Sequence, residues 1–287
     1  MASLKDTKRR IVSVKNTQKI TKAMKLVSAA KFARANQAVL RARPYAQAFE
    51  KLVAKITNSA KTENPLLEAR PKKKTLVVVI ATDRGLCGGL NSNLLKKATA
   101  FIRENQSQGA SVELALWGKR SHSLGRLGQV VVKEKKEKVL EKINFASIKE
   151  TAQSFCKLFE SKTYDSIALV YPKFLNAMTQ TPQCETLLPI LPPTEEKGAG
   201  DAGTFLFEPS VEELSEGLIR DLIATKIYGY LLEVLASEHA ARMTAMDNAT
   251  NNAKDVIKKL TLDYNRARQA NITKELIEIT SGAQALN

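Results

Sequence analysis

Residues 210–287 contain no proline, and their only glycines are Gly217, Gly229 and Gly282. At about 1.5 Å per residue, a helix over 211–281 is roughly 106 Å long, several times the length that one globular core covers. Such a helix needs a partner along it. The other long helical pattern, residues 2–58, lies at the opposite end of the chain. The two ends are therefore expected to wind around each other, antiparallel, because the domain between them must join the far end of one to the near end of the other. A long pair with one domain between its helices points to force transmission rather than catalysis.

The charge sits on the first of these helices. Residues 1–55 hold 14 Lys or Arg against only Asp6 and Glu50, giving +12 of the chain's total of +16. At 100° per residue Lys15, Lys19 and Lys22 fall on one side and Ile20, Met24 and Val27 on the other. The apolar side is expected to grip the neighbouring helix, and the cationic side to meet anions or water. Nucleic acid and an acidic protein wall both fit such a stripe. The chain has no zinc-finger spacing and no aromatic RNA-binding signature, and only 6% of its residues are aromatic.

On the C-terminal helix, Ile227, Leu231, Val234, Glu238, Ala241, Ala245, Asn248 and Asn252 follow alternating spacings of four and three, the seam of a coiled coil. Beyond it the apolar line moves to Ala249, Ala253, Val256 and Leu260, an offset that changes the supercoil locally. Both seams are poor in large residues. Alanines at 240, 241, 245, 249 and 253, facing Ala23, Ala29, Ala30 and Ala33, predict a thin, closely wound pair. Arg43-Pro44 is expected to kink the first helix or end the paired region.

Between the helices the period changes. Residues 75–82 (TLVVVIAT), 111–117 (SVELALW), 129–133 (QVVVK) and 166–171 (SIALVY) read as strands, the first and last apolar enough to be buried on both faces. Helical patterns over 92–105 and 147–161 separate them. This alternation predicts a three-layer, Rossmann-like α/β domain with a largely parallel sheet. Residues 174–191 read as a β-hairpin closed by Pro189, Pro192 and Pro193. The expected organisation is 1–58 as N-terminal coiled-coil helix, 74–193 as α/β domain, 194–209 as polar loop and foot, and 210–287 as C-terminal coiled-coil helix. The fold class is thus α/β, an antiparallel coiled coil of the terminal helices plus the Rossmann-like domain.

Little here is written for catalysis. The glycine-rich turn Thr82-Asp83-Arg84-Gly85-Leu86-Cys87-Gly88-Gly89-Leu90-Asn91 sits where open α/β sheets bind phosphates. It is neither GxGxxG nor GxxxxGK[ST], and the Gly118-Lys119-Arg120-Ser121 segment lacks the upstream glycine of a P-loop. Nucleotide binding stays as one reading. The other is a structural turn, with Asp83 paired to Arg84 and Asn91 capping the helix. His122 and His239 are the only histidines, too few for a His-based metal cluster. Cys87, Cys156 and Cys184 are widely spaced and odd in number, which fits reduced structural thiols rather than disulfides or a metal site. Neither cofactor nor metal is expected. No run approaches the 18 or so apolar residues of a membrane span, and no secretory signal opens the chain.

Four blocks carry a resemblance. Residues 272–285, ITKELIEITSGAQA, fit the signature ITxExxExxxGAxA of the F-type ATP synthase gamma subunit at Ile272, Thr273, Glu275, Glu278, Gly282, Ala283 and Ala285. The segments 16–24 (NTQKITKAM) and 236–243 (ASEHAARM) and the turn at 82–91 also resemble that family. The resemblance implies the central rotor stalk of a proton-translocating synthase, a non-catalytic subunit. Its paired helices would stand inside three alpha and three beta subunits, with the α/β domain beside an epsilon subunit and a foot on the membrane c ring. Rotation would drive catalytic sites on the stator. It further implies stator contacts at Lys22, Met24, Lys25, Arg242, Gln269, Thr273 and Glu275, and a c-ring and epsilon foot at Phe207 and Glu208. Gly282 is expected to cap the helix. No cysteine lies in 192–209, so the dithiol switch of chloroplast relatives is not expected. The absence of a transit peptide implies a bacterial form, peripheral on the cytoplasmic face of the inner membrane.

Overall fold

The computed structural model describes residues 4–60, 64–126, 130–190 and 211–284. The elements are α1 (Leu4–Ala60), β1 (Lys74–Ile80), α2 (Leu90–Ser107), β2 (Ser111–Trp117), β3 (Val131–Lys136), α3 (Phe145–Glu160), β4 (Ser166–Phe174), β5 (Gln180–Leu188) and α4 (Val211–Gln284). Two compact units result, one of Met1–Ala29 with Arg242–Asn287 and one of Ala30–Ala241.

In the larger unit the strands form one sheet in the order β3-β2-β1-β4-β5. β1 pairs parallel with β2 (Lys74 opposite Ser111, Ile80 opposite Trp117) and with β4, while β5 returns antiparallel along β4. Side chains of a strand alternate between faces, and β1 uses both. Val77 and Val79 pack with Val112, Leu114 and Leu116 under Leu94, Ala98 and Ile102 of α2. Leu76, Val78 and Ile80 pack on the other face with Phe155, Cys156 and Phe159 of α3 and with Ile219, Ile223, Ile227 and Leu231 of α4. The layer opposite α2 is thus built partly from the long C-terminal helix, which lines the core with residues three and four apart. Lys149–Asp221 (2.7 Å) and Arg220–Glu160 (2.7 Å) tie α3 to it at the surface.

Several expectations need correction. α1 runs through Pro44 without a break. Pro44 and Leu40 are exposed, so the carbonyl that proline leaves unbonded faces solvent. Pairing also continues past it. Arg43 donates to Glu233 Oε1 (3.0 Å) and to the carbonyl of Phe174 (2.7 Å), and Lys226 meets Glu50 at 2.6 Å. The edge strand is Val131–Lys136 rather than 129–133, because its charged half keeps the two-residue alternation, with Val132, Glu134 and Lys136 half-buried. Lysines on an open edge also discourage pairing with other chains. α3 is capped by Asn144, whose side chain accepts from Ala146 N–H. Asn91 is not a cap; α2 opens with Gly89 at that position.

Beneath the sheet, Glu113 of β2 is buried and receives the Tyr164 hydroxyl (2.6 Å), with Lys74 at 3.0 Å and Lys133 at 3.7 Å. Burial alone pushes its pKa up, but the Tyr164 and Lys74 hydrogen bonds and the two ammonium charges outweigh it and hold the carboxyl below its ordinary 4.5. A carboxyl with a lowered folded pKa stabilises fully above its unfolded pKa, and that stability disappears as pH falls through the folded value. Glu113→Gln is expected to cost about 2 kcal/mol at neutral pH, with the gap to the parent chain closing as pH falls below the ordinary carboxylate range. Urea unfolding followed by the fluorescence of Trp117, the chain's single tryptophan, measures both.

Candidate functional site

In the smaller unit α1 and α4 lie side by side with a thin, polar seam. On α1 the sheltered positions are Leu4, Thr7, Ile11, Val14, Gln18, Thr21, Lys25 and Ser28, spaced alternately by three and four, with Met24 and Ala29 half-buried beside them. On α4 they are Met246, Thr250, Ala253, Ile257, Leu260 and Tyr264. The Thr21 and Thr250 hydroxyls are 2.8 Å apart, and Lys25 Nζ lies 2.6 Å from Asp247 Oδ1. Partners that descend on α4 as they ascend on α1 make the pair antiparallel. Only two of the seam residues on α1, Thr21 and Ser28, are fully buried, and both are hydroxylic.

This seam differs from the one read in the sequence. Ile20 and Val27 are 61% and 57% exposed, and Ala23, Ala30 and Ala33 are also exposed. Ala240 and Ala241 in the larger unit and Ala253 in the smaller are buried, but Asn248 and Asn252 face outward. A single sequence offers the apolar residues of α1 no receiver but the partner helix. The structure turns Val12, Ile20, Leu26 and Val27 to solvent instead.

The proposed contact residues fall on these outer surfaces in part. Lys22 is exposed, Met24 is half-buried, Lys25 is held by Asp247, and Arg242 is buried. Gln269, Ile272, Thr273, Glu275 and Glu278 are exposed; Thr273 donates to the Gln269 carbonyl, and Glu278 lies 3.6 Å from Lys274 on the same helix. From 265 to 281 every residue of α4 is exposed, including Ile272, Leu276, Ile277 and Ile279. A bare helical stretch with four large apolar residues on its surface is marginal alone and marks an interaction site. α4 continues through Gly282 to Gln284, so Gly282 is not its C-cap. The helix also includes Ala283. Phe207 and Glu208 lie outside the described residues.

The glycine-rich turn after β1 is filled by the protein itself. Asp83 accepts from the backbone N–H of Lys119 (3.0 Å) and of Lys138 (3.1 Å), stapling the loops after β2 and β3, so its carboxylate serves these amides rather than Arg84. Asn91 donates to Thr82 Oγ1 (2.8 Å) and Cys87 Sγ (3.1 Å). Gly118 has φ +86°, and a Cβ there would stand 2.0 Å from the Ala81 carbonyl oxygen. The switch point of the sheet lies between β1 and β4, where doubly wound folds place ligands. Here α4 packs at those strand ends: Ser237 donates to the Pro172 carbonyl, and Ala241 packs with Cys87 and Leu90.

Among the described residues no three His, Cys, Asp or Glu side chains converge as metal ligands. The three cysteines are free thiols, and burial pushes those of Cys156 and Cys184 up to about 11. Thiols so protonated at neutral pH are poor nucleophiles.

Comparison with known proteins gives one answer. A family model described as ATP synthase matches residues 3–286. An ATP synthase gamma chain of Pelotomaculum thermopropionicum is 45% identical over the whole of both chains. One of Trichlorobacter lovleyi is 43% identical over 100% of this chain and 99% of its own. Among solved structures, the central stalk and c-ring of the Tetrahymena thermophila mitochondrial ATP synthase has a chain with 25% identity and a TM-score of 0.58, covering 80% of this chain and 99% of that one. The rotor of the Euglena gracilis mitochondrial enzyme, at 20% identity, a TM-score of 0.64 and coverage of 94% and 98%, shares the fold.

The hydroxyl pair in the seam is open to test. In a double-mutant cycle on Thr21→Val and Thr250→Val, a coupling of about 0.5–1.5 kcal/mol is expected in thermal unfolding. Strict additivity of the two changes contradicts the bond.

Proposed function

Since the chain belongs to the ATP synthase gamma-chain family, we propose that it is the central rotor stalk, coupling rotation of a proton-driven membrane c ring to ATP synthesis or hydrolysis. The carrying observation is the bare stretch 265–281 of α4, a helix with apolar residues on its surface and no cover from the described residues of its own chain. A surrounding collar of other subunits supplies that cover. The thin polar pair beside it leaves the smaller unit narrow enough to turn within such a collar.

In this reading 1–58 and 210–287 form the shaft, 74–193 the α/β domain and 194–209 the foot. The collar consists of three alpha and three beta subunits, which hold the catalytic sites; this chain is non-catalytic. Lys22, Met24, Lys25, Arg242, Gln269, Thr273 and Glu275 meet the stator, and Phe207 and Glu208 meet the c ring and an epsilon subunit. An unsymmetrical shaft presents different contacts to each beta subunit, and only contacts that differ between states shift an equilibrium. The assembly sits peripherally on the cytoplasmic face of a bacterial inner membrane. Among the described residues, no helix is long and apolar enough to cross a membrane.

Two experiments bear on this. Isolation from native membranes is expected to recover the chain with alpha and beta subunits; recovery only with nucleic acid contradicts the proposal. Lys22→Glu is expected to lower coupled ATP synthesis roughly three- to tenfold with unfolding unchanged, because Lys22 is exposed. Lys25→Glu sets two carboxylates together at Asp247 and is expected to lower stability as well, by about 0.5–1 kcal/mol. Parental synthesis rates in the Lys22 variant contradict its assigned role.

A further inference from the structure

Within the larger unit, α1 and α4 part to leave an open groove of about 940 Å³, walled on its third side by the β4–β5 hairpin. Small residues make the room: Ala42 and Ala46 on one helix and Gly229 on the other, where an added methyl would touch nothing. The ion pairs Arg43–Glu233 and Lys226–Glu50 hold the two helices at points seven residues apart on α1. The opening is therefore built into a fastened pair and is not a frayed end.

Two properties of the walls define what fits. Six of the chain's sixteen aromatic residues line the groove, and three apolar side chains at it stay wet: Tyr45 at 63% exposure, Leu175 at 52% and Phe145 at 42%. Aromatic surface concentrated in a wet groove is the composition of a protein interface core. The charges are unevenly committed. Arg43 and Lys226 are neutralised by Glu233 and Glu50, and Glu185 receives the hydroxyls of Tyr171 and Tyr230. Arg41 and Lys173 also line the groove, and among the described residues no ion pair engages either. Against these two cations stands the Glu185 carboxylate, so the charge left over is positive on balance.

The α1 lining runs from Ala38 to Glu50, about 18 Å at 1.5 Å per residue, or three turns of a partner helix. A long trough open along one side suits a helix laid into it, whereas a small ligand is enclosed over most of its surface. We infer that this groove seats an amphipathic helix of a partner polypeptide in the assembled complex, its apolar face on the aromatic wall and its carboxylates on Arg41 and Lys173. The inference rests on the assembly reading above only for where the partner is sought.

The test places a benzophenone amino acid at position 45 of the full-length chain, irradiates the purified assembled complex and sequences the cross-linked peptides. The expected product joins this chain to one other polypeptide of the complex, at a segment with apolar residues at three- and four-residue spacing and flanking Asp or Glu. The double reversal Arg41→Glu, Lys173→Glu is expected to cut that product about tenfold or more while the complex is still recovered. Recovery of the complex is scored first and reports on the assembly reading. A recovered complex whose adducts lie only within this chain, or on lipid, overturns the groove assignment alone. So does a yield indifferent to charge reversal.

Discussion

The structure depends on two long helices that each carry too little apolar surface to stand alone and must lie against one another. In each unit the fastening is polar as much as apolar. Thr21 with Thr250 and Lys25 with Asp247 hold the smaller unit. Arg43 with Glu233 and Glu50 with Lys226 hold the larger, around a small cluster of Ala35, Val39, Leu232, Ala236 and Ala240. Small and hydroxylic side chains keep such a pair thin, and hydrogen bonds with defined partners fix which residue faces which. A leucine-rich seam would bury more area and hold more tightly, but it would thicken the pair and leave register to shape alone.

The same helix occupies the place where a Rossmann-like sheet ordinarily receives a ligand. Sheets of this order bind ligands at the crevice beyond β1 and β4. Here Ser237 and Ala241 of α4 pack there, while Asp83 occupies backbone amides of the neighbouring loops. The domain grips a helix of its own chain at the place where relatives in fold grip a nucleotide. Arg43 reinforces that grip by donating at once to α4 and to the end of β4, so the domain and the helix pair move together within the unit.

Much of this was legible before any coordinates. Strands β1 and β4 announce themselves as apolar runs and β2 as one interrupted by Glu113, and the proline-free C-terminal 78 residues require a helix. The ITxExxExxxGAxA block carries the family. Ile20 and Val27 read as seam residues because a single sequence offers no other receiver for apolar side chains, yet they face outward. The strand read over 129–133 runs on to Lys136, since alternating charge on an edge looks like loop to hydropathy. Pro44 reads as a break, but it lies on an exposed face with Arg43 fastening the helix on both sides. Gly282 reads as a stop, though glycine permits a helix end without imposing one.

The central claim is mechanical: this chain turns as the rotor of an ATP synthase. The most direct measurement fixes the alpha and beta subunits to a surface, attaches a bead to this chain and supplies ATP. The account predicts rotation in one direction with three equal pauses per turn, set by three catalytic sites. ATP consumed at the parental rate while the bead remains still would contradict it.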